Sequence, residues 1–421
     1  MFRFLHAADL HLDSPLKGLE LSPEAPLEQI RGAARRALEN LVSLAIHEEV
    51  SFILLAGDLY DGDWRDFNTG LFFNRQMARL KEKGIPVIAI SGNHDAASQI
   101  TKSLRPPDNV KLLSTRRPET YHLKELNVAI HGQGFASRAV TDNLSSSYPQ
   151  AIPGCFNIGL LHTALTGREG HEPYAPGTVD DLRSKGYKYW ALGHVHQREV
   201  VLTDPWILFP GTIQGRHIRE QGAKGGTLVT VAEGEVTAAE HRDLDVLRWC
   251  LCRIDITGVA TLEELYAPLQ KGLQSALKSG DGRPVIARIE LVGKSAVHRE
   301  LQREPEKWIG EINGMAAALG GAGLWIEKVK FRTGESLETD HLMTDDSPIG
   351  GILRMVATLQ GGAERLAQMD PEIGGFLAKL PAELKGGDDP FLPDDERQWG
   401  EICDDVRELL TARLLHAGGA R

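Results

Sequence analysis

The sequence predicts a layered α/β protein built on a mixed sheet or a pair of stacked sheets, followed by a small α+β domain and an acidic helical region. Three observations predict it. Apolar runs of strand length recur through the first 240 or so residues, helical patterns separate the early runs while short turns separate the later ones, and the pattern resets near Asp245.

The first region reads as strands at Phe2–Ala8, Phe52–Ala56, Pro86–Ser91, Asn127–His131, Phe156–His162, Lys188–Leu192, Trp206–Phe209 and Thr227–Val231. Between the first two, Ile30, Ala34, Ala37, Leu41 and Leu44 recur at helical spacing and predict a helix over Leu27–Glu49. The second region repeats the scheme on a smaller scale. Trp249–Ile256, Pro284–Leu291 and Leu324–Phe331 read as strands, and Leu301–Leu319 reads as a helix. A second helix carries Leu262, Leu265, Leu269, Leu273 and Leu277, with Pro268 inside it as a possible break. Past Thr333, three Gly-Gly pairs and several prolines separate helical pieces at Ile349–Leu359 and Arg397–Leu415. The expected boundaries are therefore 1–244, 245–334 and 335–421.

Composition excludes several classes. A chain of 421 residues with 42% hydrophobic and 25% charged residues is neither low-complexity nor built for a membrane, and no apolar run reaches the ~18 residues of a membrane span. Four scattered cysteines make no disulfide framework, which fits a reducing cytoplasm. Candidate ligands begin as early as Asp9, so no cleavable leader is expected. The net charge of −11 argues against bulk attraction to nucleic acid until it is divided along the chain. From Ser336 onward there are 17 Asp plus Glu against 8 Lys plus Arg, a net of −9, which leaves the body at −2. A near-neutral body does not exclude a phosphate-rich substrate. The acidic region reads either as a solvated face or as a docking segment.

The chemistry concentrates at strand ends. Asp9-Leu10-His11 closes the first strand, and residues two apart in extended chain face the same way. Gly57-Asp58 closes the second, where glycine permits a sharp exit and the carboxylate has two oxygens with which to bridge cations. Gly92-Asn93-His94-Asp95, then His162, then Gly193-His194-Val195-His196 close three more. A single histidine after a strand is usually a hydrogen-bonded structural residue. Five successive strand ends delivering carboxylate, amide and imidazole together are the donor set of a pair of divalent metals.

In their order, Asp-x-His, Gly-Asp, Gly-Asn-His-Asp, His and Gly-His-x-His, these motifs resemble the calcineurin-like metallophosphoesterase superfamily over residues 9–196. The opening Phe2-Arg3-Phe4-Leu5-His6-Ala7-Ala8-Asp9-Leu10-His11-Leu12-Asp13 and the segment Gly211-Thr212-Ile213-Gln214-Gly215-Arg216-His217 are similar to SbcD-type DNA-repair exonucleases, especially their YhaO branch. The resemblance implies a four-layer α/β/β/α sandwich with a smaller capping domain. It implies one metal held by Asp9, His11, Asp58 and His196, and a second held by Asp58, Asn93, His162 and His194. His94 would stand beside the metals as proton donor or charge stabiliser, oriented by Asp95. Two cations ~3.5–4 Å apart would activate water and clamp the phosphate for in-line attack. Mn²⁺ is the expected ion, with Fe, Zn and Mg also suited to the ligands.

The resemblance further implies DNA as substrate, cleaved as an exonuclease with endonuclease activity besides. An SMC-like coiled-coil ATPase of SbcC or YhaN type and a second copy of the chain are its implied partners. Two departures stand out. Protein phosphatases follow the bridging aspartate with an Asp-Arg-Gly, whereas this chain reads Gly57-Asp58-Leu59-Tyr60-Asp61-Gly62-Asp63 and has no arginine there. Related nucleases often carry histidine three residues after the bridge, where this chain has Asp61.

Arg216, Arg219 and Lys224 lie in a glycine-rich segment and are candidates for phosphate contacts, or for an ordinary solvated loop. Tyr60 and Trp64 are candidates for base stacking or for core, and His6, His131 and His217 read as structural. Two other functions compete: a small-molecule phosphoesterase or pyrophosphohydrolase on the same scaffold, and a non-catalytic subunit. Intact ligand positions argue against the second.

Overall fold

The computed structural model describes residues 1–14, 27–61, 67–97, 106–165 and 174–335, with isolated positions beyond 349. These divide into two compact units, one of residues 1–250 and 279–286, the other of residues 251–278 and those from 287 onward.

The first unit holds β1 (Phe2–Ala7), α1 (Leu27–Arg31), α2 (Ala33–His47), β2 (Phe52–Ala56), α3 (Phe67–Glu82), β3 (Val87–Ile90), α4 (Asn93–Ala97), β4 (Val110–Leu112), β5 (Glu119–Leu123), β6 (Val128–Gly132), β7 (Phe156–His162), α5 (Val179–Arg183), β8 (Tyr189–Gly193), β9 (Glu199–Thr203), β10 (Trp206–Phe209), β11 (Gly225–Ala232) and β12 (Glu235–Asp243). They form two six-stranded sheets, ordered β12-β11-β1-β2-β3-β4 and β5-β6-β7-β8-β10-β9. β1 to β4 are parallel, as are β6, β7, β8 and β10, while β11, β12, β5 and β9 run antiparallel at the margins.

Side-chain alternation explains why these sheets stack. On β2, Phe52, Leu54 and Ala56 face the second sheet and meet Ile130, Ile158, Leu160 and Tyr189, while Ile53 and Leu55 face α2 and α3 and meet Leu38, Leu41, Phe73 and Met77. On β8 the same alternation sends Tyr189 and Ala191 inward, and Trp190 and Leu192 outward onto Leu182 of α5. Both faces of the inner strands are thus covered, and the result is the four-layer α/β/β/α arrangement. Each fully buried aromatic or aliphatic side chain contributes ~1.5–3 kcal/mol.

The expected single helix over Leu27–Glu49 is broken at Gly32 into α1 and α2. The polar edge strands β5, β9 and β12 were hidden from an apolar-run reading because one or both of their faces meet solvent.

β13 (Arg248–Asp255), α6 (Leu262–Ser279), β14 (Val285–Lys294), α7 (His298–Arg303), α8 (Pro305–Gly320) and β15 (Leu324–Gly334) complete the described elements, with the sheet ordered β13-β14-β15. α6 runs through Pro268 without a break, burying Leu265, Leu269 and Leu273. Helix formation over Leu301–Leu319 is divided in two, because Pro305 suits the first turn of α8 and not the interior of a longer helix. The C-terminal pieces at Ile349–Leu359 and Arg397–Leu415 lie largely outside the described residues. No helix among the described residues is long and apolar enough to cross a membrane.

Candidate metal centre

Because β1, β2 and β3 are parallel, their C-terminal ends open on one edge of the first sheet, and the ends of β7 and β8 open beside them from the second. The loops after β1 and β2 run together: Asp9, His11 and Leu12 donate their amides to the carbonyls of Gly57, Asp58 and Leu59 at 3.0–3.1 Å. Asp9, His11, Asp58 and His194 all hold positive φ, at 52°, 41°, 52° and 96°. Non-glycine residues in that region are strained, and such strain persists where surrounding contacts over-determine it. Gly57 (φ 93°) and Gly92 are required for another reason. A Cβ on Gly57 would lie 2.5 Å from His162 Nδ1, and one on Gly92 would lie 2.3 Å from Asp58 Oδ1.

The side chains converge. Asp9, His11 and His196 bring ligand atoms within 4.8 Å of one another, as do Asp9, Asp58 and His162, and His11, Asp58 and His94. Asp58 is central. Its Oδ1 accepts from the His94 amide at 2.9 Å, and its Oδ2 lies 3.7 Å from His11 Nε2 and 3.5 Å from His162 Nε2. Asn93 Oδ1 lies 2.9 Å from His162 Nε2. The His194 ring stands 5.2 Å from that of His162, and the His194 amide donates to both oxygens of Asp9.

Electrostatics makes this arrangement costly without a cation. Burial, aided by the charge of Asp58, raises Asp9 well above the usual carboxylate range; burial also pushes Asp58 up to about 6. Burial drives His162 down to about 3 and holds His11 well below the ordinary imidazole value, with the Arg216 charge adding to the second effect. Both imidazoles are therefore neutral. His162 Nδ1–H donates to the Ala56 carbonyl at 2.9 Å, which leaves a lone pair on Nε2 facing the Asn93 oxygen. His11 Nδ1 is buried without a hydrogen-bond partner. Lone pairs aimed at one another and buried carboxylates crowded together are the environment a divalent cation relieves, and the donor set suits one.

His94 and Asp61 form a pair at the rim, Nδ1 to Oδ1 at 2.7 Å, and Ser14 Oγ donates to the other Asp61 oxygen. Burial opposes protonation of His94, but the Asp61 hydrogen bond and the Asp58 charge outweigh it and the net shift is upward. Burial likewise opposes ionisation of Asp61, yet the hydrogen bonds from His94 and Ser14 hold its carboxyl below the usual range.

This pairing corrects the expectation for Asp95, which does not orient His94. Its buried carboxylate accepts the amides of Leu59, Tyr60 and Gly92 at 2.9–3.2 Å, tying the β2 and β3 loops together. Burial and the Asp58 charge push it up to about 7.

The three candidate phosphate contacts separate. Arg216 reaches the centre, where its charge is felt by Asp9, His11, Asp58, Asp61 and His94. Arg219 is exposed and lines a groove of about 520 Å³ with Gln197, Gln221 and Trp249. Lys224 is buried: its Nζ donates to Gln197 at 3.3 Å and its amide to Asp245. Tyr60 is core, packed on Phe73, and Trp64 lies outside the described residues. His6 is structural, bonded to Tyr189 Oη and the Leu192 carbonyl, as is His131, bonded to Thr120 and Asn157. Sequence reasoning missed Glu220, whose buried carboxylate meets His196 Nδ1 at 2.7 Å; only its acidic character four residues after Arg216 hinted at it.

Comparison with known proteins gives the family. A family model described as calcineurin-like phosphoesterase matches residues 2–198, and one described as the middle domain of metallophosphoesterase YhaO matches residues 249–334. The chain belongs to the calcineurin-like metallophosphoesterases, a family that implies phosphoester hydrolysis with two divalent metal ions. It is 38% identical over 294 residues to the uncharacterized metallophosphoesterase YhaO of Bacillus subtilis, covering 69% of this chain and 71% of that one. It is 28% identical over 332 residues to the DNA double-strand break repair protein Mre11 of Sulfurisphaera tokodaii, covering 75% and 78%. A dimetal phosphatase structure from Danio rerio covers 55% of this chain and 93% of its own at a TM-score of 0.33 and 11% identity.

Proposed function

We propose that the protein is a two-metal DNA nuclease, chiefly an exonuclease with endonuclease activity besides, that uses Mn²⁺ in DNA repair or end processing in the cytoplasm. The observation that carries the hydrolytic part is the convergence of Asp9, His11, Asp58, His162 and His196 on one buried pocket beside His94. Similarity to Mre11 repair proteins supports DNA as the substrate.

Asp9, His11, Asp58 and His196 would hold one cation, and Asp58, Asn93, His162 and His194 the other. Bound there, the pair would supply Lewis acidity, activating water near neutral pH and offsetting phosphate charge. The chain does the rest. Arg216 sets a fixed positive charge toward the phosphate and answers for the arginine missing after Asp58. Asp61 accepts from Nδ1–H of His94 and favours its doubly protonated form, in which Nε2 also carries a proton that it gives to the departing oxygen, leaving neutral His94. An SMC-like coiled-coil ATPase and a second copy of the chain complete the proposed assembly, which co-purification and mass measurement test.

The deciding experiment gives the purified protein labelled duplex and single-stranded DNA with Mn²⁺. DNA is degraded, and Asp58→Asn abolishes cleavage; equal cleavage by the variant rejects the reading. Rapid turnover of mononucleotides with DNA left intact would move the assignment to a small-molecule phosphoesterase.

A further inference from the structure

Glu220 belongs to none of the metal-ligand motifs, yet its carboxylate, only 4% exposed, is among the most heavily bonded in the first unit. Oε1 meets His196 Nδ1 at 2.7 Å and Arg216 Nη2 at 2.9 Å, and Oε2 accepts the Arg216 amide at 2.8 Å. The segment is closed on itself. The Glu220 amide donates to the His217 carbonyl at 2.9 Å, Trp249 Nε1 donates to the Gly215 carbonyl at 3.0 Å, and a Cβ on Gly215 would lie 2.6 Å from the Glu220 carbonyl oxygen.

His196 Nδ1 also lies 3.2 Å from Arg216 Nη2, and the two contacts make opposite demands. A carboxylate only accepts, which requires a hydrogen on Nδ1; a guanidinium only donates, which requires a lone pair there. The carboxylate contact is shorter by half an ångström and charge-assisted, so it decides the tautomer. With the hydrogen on Nδ1, the lone pair sits on Nε2, which faces His11 Nε2 at 3.2 Å inside the Asp9, His11 and His196 group. In the other tautomer an N–H would point into that group and His196 would be lost as a ligand.

We infer that Glu220 is the positioning residue of this site: one carboxylate fixes His196 in its metal-ligating tautomer and anchors the Arg216 guanidinium beside it. Cation binding and the placement of the site's fixed positive charge then share a single support. Carboxylates that accept from a ligating imidazole tune metal affinity, and their loss typically weakens it ~10–100-fold.

The test reads cation binding without any substrate, so its outcome is independent of whether DNA is the substrate. Metal-stripped wild type, Glu220→Gln and Arg216→Gln are titrated with Mn²⁺ by calorimetry, with circular dichroism as a check on folding. In Glu220→Gln, one of two binding events weakens ~10–100-fold while the other is retained. Arg216→Gln, which keeps the carboxylate on His196, leaves both within about threefold. Wild-type affinity at both sites of Glu220→Gln overturns the inference, and so does an equal loss in Arg216→Gln, since loop charge and not the tautomer would then be responsible. Should Glu220→Gln fail to fold, nitrogen-15 spectra of metal-free wild type decide, with the His196 signal assigned by its loss in His196→Gln. A hydrogen on Nδ1 is expected, and one on Nε2 overturns the inference.

Discussion

Buried charge occurs in both units of the molecule, and two clusters of it are organised in opposite ways. In the second, Arg288 and Glu327 form a two-pronged pair at 2.8 and 2.7 Å, each side chain 5% exposed, with donors and acceptors matched. In the first, Asp9 and Asp58 crowd together with the imidazoles of His11, His94, His162 and His196, with Asp9, His11 and Asp58 on backbone of positive φ and acceptors facing acceptors. The matched pair sustains its own fold, whereas the crowded set is at odds with its own fold until something positive enters. Imbalance, not burial, therefore marks the site.

Four measurements would break or sharpen that contrast. The largest effect is expected at Asp58: Asn there lowers hydrolysis more than ~100-fold, beyond the loss typical of residues one step removed from a metal. Stability should move the other way. A carboxyl whose folded value is raised from 3.8 to about 6 binds more protons folded than unfolded between those values, so the metal-free wild type loses stability as pH rises from 3.8 to about 6. Asp58→Asn lacks that penalty, and at pH 7 its metal-free form melts no lower than wild type. A clear drop in its melting temperature would show Asp58 to be structural.

Next comes Arg288→Ala, which strands the buried Glu327 carboxylate and should cost ~3–5 kcal/mol in chemical denaturation. A loss under 1 kcal/mol would erase the difference between the units. Third, Mn²⁺ at ~100 times its dissociation constant should stabilise wild type by ~2.7 kcal/mol and Asp58→Asn by much less, read as a shift in melting temperature. Smallest is a change of pH dependence. His94 is raised, so its proton is held below the folded value and lost as pH climbs through it. Asp61→Asn removes the bond that raises it, and the alkaline limb of the rate profile should move to lower pH; an unmoved limb would exclude His94 as its source.

Much of the site was legible because each candidate ligand stands at or just past the end of an apolar run, and the shared direction of the parallel strands brings those ends to one edge. Asp9, His11, Asp58, Asn93 and His162 follow from strand direction, whereas period-two alternation does not reach Asp9, His11 and Asp58, whose φ is positive. Asp95 shows the limit of local rules: adjacent to His94 in sequence, it turns away to the loop amides, and the partner of His94 is Asp61, 33 residues earlier. Ser14 and Glu220 act across 47 and 24 residues and have no local signature.

By itself the sequence determined the apolar inner strands and which side chains stand at or just past their ends, because apolar runs, glycine exits and ligand chemistry are properties of neighbouring residues. Only the tertiary structure decided who serves those ligands: which oxygen fixes each imidazole tautomer, which carboxylate holds His94, and which of three basic residues reaches the pocket. Hydrogen bonding acts over about 3 Å in space regardless of separation along the chain, so those choices exist only once the two sheets are stacked.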